Sequence, residues 1–322
     1  MILAKSARLG ISDEIRKTHR TQKWKRIKNS KLLYLMILPA VIWYILFTYV
    51  PMGGLYLAFE DFNYRGGLWG SDFVGLANFK ALVTDKDFMI AFGNTLIFSF
   101  GKLILQFPAA IVLALALNEV RSVRMKKIYQ TVFTFPHFIS WVVMAGVLTN
   151  MFASNGVINQ ILTSLRLATI SPIVSLTGFR PFIWLSNIWK EVGWDTIIYM
   201  AALAGIDPGL YEAAGIDGAN RWQKMRHITF PGIKSTIMVM LILEIGRIMT
   251  TGASFDQIFN LYSSPVYAVA DTIDTYIYRT SFGGVNDFGY TTAVGLFKSL
   301  VGFIMLIIAN KIVRKSGEAG IF

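Results

Sequence analysis

Six apolar stretches, each about as long as a membrane-crossing helix, limit what this chain can fold into. They cover approximately residues 32–59, 89–117, 130–152, 181–204, 232–249 and 290–313. The hydrocarbon core of a bilayer needs about 20 predominantly apolar residues from each helix that crosses it. Long continuous runs also differ from the short alternating segments of an outer-membrane barrel. The pattern therefore predicts an all-α integral membrane protein with six transmembrane helices.

Composition and residue usage exclude several classes of function. Hydrophobic residues make up 54% of the 322 residues and charged residues only 16%, which is not typical of a soluble enzyme. The chain has no cysteine, so disulfides and thiolate metal sites are excluded. Its three histidines, His19, His137 and His227, lack the spacing of metal ligands, and we predict no metal site.

The net charge of +12 follows the predicted membrane topology. Ten Lys and Arg residues precede Leu32, four lie in residues 121–127, four in residues 221–234 and three in residues 311–315. The other three connections hold only Arg65, Lys80, Lys86, Arg166, Arg180 and Arg279. Cytoplasmic loops of membrane proteins carry an excess of Lys and Arg. We therefore predict cytoplasmic N- and C-termini, contact with membrane lipid and no nucleic-acid partner.

A polar connection between the fourth and fifth stretches begins with a helix signal. Asp207 can cap a helix whose first residue is Pro208, where the missing N–H costs nothing. Good helix formers continue from Leu210 to Ile216, apart from one glycine. We therefore expect a short helix at the start of this connection.

The second half of the connection predicts a reversal and another short helix. Gly218 permits a tight turn that a Cβ would hinder, and Asp217 or Asn220 can cap the helix that follows. We expect this helix to run to about Thr229 and to be ended by Pro231. The whole connection is thus predicted to form a compact helix-turn-helix unit.

Residues of this unit stand at a characteristic spacing: Glu212-Ala213-Ala214, then Gly218, Ile228 and Phe230-Pro231. The arrangement resembles the EAA loop of the membrane subunits of ATP-binding-cassette (ABC) importers, although Phe230 replaces the usual leucine. Two further departures are Met225 in place of a frequent phenylalanine and Ser235 in place of a second proline. The resemblance implies a type I ABC importer permease fold and a loop that receives force from a separate ATPase. It assigns coupling to the ATPase to Glu212, Ala213, Ala214, Gly215, Asp217, Gly218, Ala219, Ile228 and Pro231.

A second resemblance covers the run from Ile188 to Trp194 and the run from Ala201 to Asp207. Both are similar to the LplB-type permeases of polysaccharide and oligosaccharide uptake, within the MalF-like carbohydrate-uptake family. The chain then divides into four parts. They are a basic cytoplasmic segment (1–31), a first transmembrane helix with its external loop (32–88), a five-helix permease core (89–313) and a cytoplasmic tail (314–322). The resemblance implies a multi-pass location in the bacterial cytoplasmic (inner) membrane.

The same resemblance implies the partners. It predicts a second permease subunit that is a different chain, two ATPase subunits, an external solute-binding protein and an oligosaccharide substrate, with alginate fragments among the candidates. ATP and Mg²⁺ would be bound by the ATPase and no cofactor by this chain. The sequence agrees, because no G-x-x-x-x-G-K-[ST] phosphate loop is present. The chain is therefore predicted to be a transport subunit and not an enzyme.

Charged residues inside apolar stretches are costly, so each is a candidate functional residue. Seven occur in this chain: Lys102, Lys190, Glu191, Asp195, Glu244, Arg247 and Lys298. On the fourth stretch one broad helical arc carries Asn187, Lys190, Glu191, Trp194 and Asp195. This arc either lines a water-filled substrate path or packs against a partner subunit. The alternative is a buried network of ion pairs with a purely structural role. Indole faces stack on pyranose rings while carboxylates and amides bind hydroxyls, so we predict a sugar path.

Two other classes of function compete with the importer hypothesis. An ion-coupled secondary transporter or channel could use the intramembrane charges as a relay. A membrane-embedded enzyme would need a catalytic constellation, and the sequence offers no paired carboxylate and histidine for one. The EAA-like loop favours the importer permease over both.

Overall fold

The computed structural model describes residues 30–249, 254–284, 287–315, 317 and 320–321. The predicted basic segment therefore lies outside the described residues up to position 29, as does part of the C-terminal tail. The chain divides into two compact units, Met1–Tyr56 and Leu57–Phe322. In the first unit, helix α1 (Lys31–Tyr44) continues into a π-helical turn (Ile45–Tyr49) and a 3-10 helix (Val50–Phe59), which ends in the second unit.

The second unit is built almost entirely of helices. A two-stranded antiparallel ribbon, β1 (Glu60–Asp61) and β2 (Asp72–Phe73), is joined by α2 (Gly67–Gly70). The helices up to the predicted coupling connection are α3 (Ala77–Thr84), α4 (Lys86–Asn118), α5 (Val123–Thr134), α6 (Trp141–Met151), α7 (Val157–Ser164) and α8 (Phe179–Ala204). The remaining helices are α9 (Pro208–Ile216), α10 (Arg221–Lys224), α11 (Phe230–Gly246), α12 (Phe255–Leu261), α13 (Tyr267–Ala270), α14 (Ile273–Phe282) and α15 (Phe288–Lys315).

Four helical segments of the described chain are long and apolar enough to cross a membrane. They are Lys31–Phe59, Lys86–Asn118, Arg221–Gly246 and Phe288–Lys315, and they correspond to the first, second, fifth and sixth predicted stretches. The fourth stretch forms the 26-residue helix α8. It is not among the four because it carries Lys190, Glu191 and Asp195 near its middle.

The third predicted stretch is not one helix, and this part of the prediction was wrong. Helix α5 and a 3-10 turn (Phe135–Phe138) meet helix α6 at an angle of 97°. Pro136 lies in the turn, Ile139 is extended, and the Ser140 side chain caps α6 by accepting the N–H of Val143 at 3.3 Å. A proline followed by a serine cap interrupts the helical hydrogen bonds and begins a new helix in another direction.

Helices α4 and α8 form the most extensive helix pair and position the polar residues described below. Their shared core includes Ala110, Ala114 and Tyr199, with Ile233 of α11 packed against them. Helix α5 also approaches α8 closely. A Cβ at Gly193 would come within 2.2 Å of the Phe133 backbone, so only glycine allows this contact. The close packing places the bend of the third stretch against the middle of α8.

Candidate functional site

The polar connection between α8 and α11 begins with a capped helix that ends in a tight turn. Asp207 accepts the N–H of Gly209 at 2.9 Å and so caps α9, whose first residue is Pro208. At the other end Gly218 has a φ of +75°. Its N–H bonds to the Gly215 carbonyl at 3.2 Å, and the Ala219 N–H bonds to the Ala214 carbonyl at 2.9 Å. This pair of bonds is a Schellman motif, which gives Gly218 the reversing role predicted from the sequence.

The second arm of the connection starts at a reciprocal cap. Asn220 accepts the Gln223 N–H at 2.9 Å, and the Gln223 side chain accepts the Asn220 N–H at 2.8 Å. Helix α10 then runs through a π-helical turn (Met225–Thr229) directly into α11. Pro231 therefore does not end a helix, contrary to the prediction. The wide turn before it changes the hydrogen-bond pattern where the proline lacks its N–H, so the chain continues as a helix.

Side chains hold the two arms of the connection together. The hydroxyls of Tyr211 on α9 and Thr229 in the π-helical turn are hydrogen-bonded at 3.0 Å. A Cβ at Gly215 would come within 3.1 Å of the Lys224 Nζ, so the ammonium group of α10 lies against α9. The unit is thus fixed at both its turn and its base. We call residues 207–231, which hold the predicted coupling residues, the coupling loop.

The coupling loop presents apolar side chains to its surroundings. No residue of α9 is buried, and Ile216 is 89% exposed, Trp222 65% and Leu210 52%. Large exposed apolar patches mark surfaces that contact another protein or the membrane. Seven of the nine sequence-predicted coupling residues, from Glu212 to Ala219, lie on α9 and its turn, while Ile228 and Pro231 lie at the base of the loop. The structure therefore brings all nine into one unit.

A separate, open cavity of about 300 Å³ lies between α4, α6 and α8. Its lining is mostly polar and includes one ammonium and two carboxylate groups. The lining residues are Lys102, Gln106, Trp141, Asn187, Glu191, Asp195, Ser254 and Phe255. Three of the five predicted path residues, Asn187, Glu191 and Asp195, are therefore brought together at this cavity.

Gln106 links the two ends of the predicted arc across the cavity wall. Its side-chain N–H donates to Asp195 Oδ2 at 2.5 Å, and its amide oxygen accepts a hydrogen bond from Asn187. Lys102 and Asp195 also border a second cavity of about 30 Å³, together with Tyr199 and Glu244. A space of that size holds about one water molecule. Polar groups thus continue from the main cavity toward α11.

The other two predicted path residues are absent from the cavity lining. Lys190 is only 4% exposed, and its Nζ donates to the His137 carbonyl and to Glu191 Oε1, both at 2.8 Å. The Trp194 ring stacks on the His137 imidazole, with centroids 4.2 Å apart and planes 5° apart. The arc therefore divides between the cavity and the bend of the third stretch.

Sequence reasoning missed Gln106, Trp141 and His137 as neighbours of this site. Gln106 had a readable signal, since it is one of only two amides, with Asn94, within the second apolar stretch. Which side of each helix faces α8 depended on packing. Among the described residues no group of three or more His, Asp or Glu side chains could hold a metal ion.

Comparison with known proteins identifies the family of the chain. The family model described as "Binding-protein-dependent transport system inner membrane component" matches residues 106–317. The chain is 42% identical over 298 residues to the polygalacturonan/rhamnogalacturonan transport system permease protein YteP of Bacillus subtilis (strain 168), covering 92% of each chain. Protein LplB of the same organism is 42% identical over 299 residues, again covering 92% of each.

Solved structures with the same fold include two of bacterial alginate transporters. One is the crystal structure of a bacterial alginate ABC transporter in complex with an alginate pentasaccharide-bound periplasmic protein. It matches with a TM-score of 0.84 and 39% identity, over 92% of this chain and 99% of that chain. The other, of a bacterial ABC transporter involved in the import of the acidic polysaccharide alginate, has a TM-score of 0.83 and 40% identity, over 91% and 99%. The predicted all-α permease fold is confirmed.

Proposed function

Because the chain belongs to the family of binding-protein-dependent transport system inner membrane components, we propose that it carries acidic oligosaccharides across the cytoplasmic membrane. The chain is a permease subunit, and ATP is hydrolysed by a separate partner. In this proposal a second permease chain completes the pathway, two ATPase subunits dock on the coupling loop, and an external solute-binding protein delivers the sugar. The secondary-transporter alternative has no support in the family.

The rigidity of the coupling loop is the observation that supports a coupling role. Its turn and its caps are satisfied within the loop, so its exposed Leu210, Ile216 and Trp222 are held in fixed positions. A preorganised surface loses little entropy when a partner binds it. Because α10 runs without a break into α11, a push on the loop would move the membrane helix that borders the cavity region. Force from ATP hydrolysis would reach the transport path in this way.

The cavity supports an oligosaccharide as the substrate. Its amides and carboxylates can accept and donate the hydrogen bonds of sugar hydroxyls, and Trp141 and Phe255 add flat apolar surfaces for pyranose rings. The relatives are named for the transport of polygalacturonan/rhamnogalacturonan and for the import of the acidic polysaccharide alginate, and the carboxylates of acidic sugars favour a cation. Lys102 supplies one ammonium group at the cavity beside the carboxylates of Glu191 and Asp195, so the names of the relatives are the stronger support for an acidic sugar. We therefore propose uronate oligomers as the substrate class.

Reconstitution tests this proposal. The chain would be placed in vesicles with its second permease, the ATPase and the binding protein, and offered galacturonate, mannuronate, maltose-type and xylose-type trimers. We expect ATP-dependent uptake of a uronate trimer above that of the neutral trimers. Equal uptake of neutral trimers would contradict the substrate class, while uptake that needs an ion gradient and no ATP would contradict the importer itself.

A further inference from the structure

The bend between α5 and α6 is held by one lysine of α8. The Lys190 Nζ donates to the carbonyl of His137, which lies before the bend, at 2.8 Å. It also lies 5.4 Å from the ring centroid of Trp141, the first residue after the bend. A cation over an indole face is attracted by the ring electrons, more so when it is desolvated, as this buried ammonium is. One side chain therefore contacts both sides of the 97° angle.

The imidazole of His137 is fixed by two more residues of α8. Its Nδ1 lies 2.5 Å from Glu191 Oε2, and because a carboxylate only accepts, His137 is the donor. Its ring is stacked on Trp194 at 4.2 Å. Together with the Lys190 contact to its carbonyl, these bonds attach His137 to α8 through its backbone, its nitrogen and its ring face. We call His137, Lys190 and Glu191 the clasp.

The clasp shares residues with the cavity. Glu191 and Trp141 both line the cavity, whereas His137 and Lys190 are absent from its lining. In the clasped arrangement both Glu191 oxygens are engaged, Oε1 by Lys190 and Oε2 by His137. A sugar hydroxyl that reached Glu191 from the cavity would donate to the same carboxylate, and turning the carboxylate toward the sugar would lengthen its bond to the imidazole. Substrate in the cavity and the angle of the bend are thereby connected through one side chain.

We propose that the clasp senses the substrate, and that a hydroxyl bound at Glu191 releases His137 and loosens the bend of the third membrane segment. A ligand shifts a conformational equilibrium only through unequal affinity for the two states. Here the affinities differ because Glu191 can turn fully toward the sugar only once His137 has left Oε2. His137 is a positioning residue in this scheme, since it does not touch the substrate. The inference rests on the proposed function, because it takes the cavity as the substrate path.

A matched pair of variants tests the clasp. His137→Asn keeps an N–H donor near the Nδ1 position but loses the ring, while His137→Phe keeps the ring on Trp194 but loses the donor. Each would be assembled with the second permease, ATPase and binding protein in vesicles, and ATP hydrolysis measured with and without galacturonate and mannuronate trimers. We expect His137→Phe to hydrolyse ATP faster without sugar, so that the ratio of stimulated to basal rate falls toward one. His137→Asn should keep the wild-type ratio.

Outcomes of this experiment separate the clasp from a purely structural role. A structural defect lowers yield and both rates together, and that pattern in His137→Phe would overturn the proposal. A wild-type ratio in His137→Phe, or a lost ratio in His137→Asn, would overturn it as well.

A second measurement needs no substrate and stays decisive even if no trimer is transported. Because the chain has no cysteine, single cysteines that carry spin labels can be placed at exposed Val132 on α5 and Val147 on α6 of the purified chain. We expect the distance distribution across the bend to shift or broaden in His137→Phe and to stay unchanged in His137→Asn. Identical distributions in wild type and His137→Phe would show that the clasp does not hold the bend.

Discussion

The hydroxyl groups of Tyr211 and Thr229 are hydrogen-bonded at 3.0 Å and join the first helix of the coupling loop to the turn that leads into α11. Thr229 is buried, so this bond lies at the base of the loop and not at its exposed tip. Within the described residues 207–231, it joins a side chain of the first arm to a side chain of the second arm. A load applied to α9 would therefore pass through it to the membrane helix.

Removal of this bond is expected to weaken coupling and leave the fold intact. Tyr211→Phe deletes only the hydroxyl, which contributes about 1 kcal/mol to stability. We expect normal amounts of assembled complex, but fewer sugar molecules transported per ATP hydrolysed. Tyr129→Phe, on an exposed part of α5, is the control. An unchanged ratio of transport to hydrolysis in Tyr211→Phe would contradict a role for the bond in transmitting force from the loop to α11.

Gly218 gives a test of the turn that is independent of packing. No atom lies within 4 Å of a Cβ built at Gly218, so its substitution acts through the φ of +75° alone. A left-handed residue other than glycine costs roughly 1–2 kcal/mol, more for a β-branched side chain and less for asparagine. We expect capture of the ATPase by the permease to fall in the order wild type, Gly218→Asn, Gly218→Val. Gly146→Ala, in the regular helix α6 with equal free space, should bind like wild type; weak binding there would point to a general loss of folding.

Glu212 extends this test to the exposed face of α9. We expect Glu212→Ala to leave the subunit in the membrane and to reduce substrate-stimulated ATP hydrolysis, because the carboxylate faces outward and has no partner to lose within the loop. Stimulated hydrolysis in the variant would be measured against the wild-type complex at equal yield. Wild-type stimulation would remove Glu212 from the coupling role.

The distribution of Lys and Arg predicts the topology, and single cysteines can test it. Arg124 and Arg226 are exposed in the described structure and belong to connections predicted to be cytoplasmic, whereas exposed Asp72 belongs to one predicted to be external. The thiol reagent must reach the outer face of the cytoplasmic membrane without crossing that membrane. Among the three cysteine variants, we expect it to label Asp72→Cys alone in intact cells. Labelling of Arg226→Cys from outside would overturn both the topology and the assignment of the coupling loop.

Lys190 and Asp195 should respond differently to neutralisation. Lys190→Met leaves Glu191 and the His137 carbonyl without their buried cation, and the loss of one partner of a buried pair costs about 3–5 kcal/mol. We expect its complex yield to collapse, with Lys127→Met on the exposed side of α5 as the control.

Asp195→Asn still accepts a hydrogen bond from Gln106, so its complex yield should stay near that of wild type while sugar preference or transport rate changes. A collapsed yield with unchanged preference in Asp195→Asn would favour a sealed network over a substrate path.

Asp85 predicts a pH dependence of stability. Burial raises the pKa of this carboxyl, but hydrogen bonds from the hydroxyls of Tyr276 and Tyr290 and from two backbone N–H groups outweigh burial and hold the pKa below its usual value. A depressed pKa stabilises the fold above the unfolded value of about 3.9, and this contribution is lost as the pH falls through the folded value. The Tyr276 hydroxyl stays neutral throughout, since burial and Asp85 raise its pKa to about 12.

The measurement is thermal unfolding of the purified chain between neutral pH and pH values below about 4. We expect Asp85→Asn to be less stable than wild type at neutral pH and to lose less stability on acidification. Asp72→Asn, at an exposed carboxylate, is the control and should follow the wild-type curve. A variant curve parallel to that of wild type would show that Asp85 contributes nothing to acid sensitivity.

Features that depend on neighbouring residues could be predicted from the sequence. The caps at Asp207 and Asn220 and the reversal at Gly218 are set by side chains and backbone angles within a few positions. The apolar stretches are likewise local properties, so most predicted spans are helices in the structure. Two local signals were misread. Pro136 with Ser140 indicated the break in the third stretch, and Pro231 was given more weight as a helix terminator than the π-helical turn allows.

The sequence alone determined that the chain crosses a membrane, that one capped loop is exposed, and which polar residues share an arc of the fourth span. Only the tertiary structure decided how that arc is used. Gln106 reaches Asp195 across 89 positions of sequence, and His137 reaches Glu191 across 54. These contacts direct Asp195 to the cavity and Lys190 to the bend. Helical periodicity fixes the face on which a side chain lies, but the partner helix that covers the face determines whether that side chain meets water, sugar or another charge.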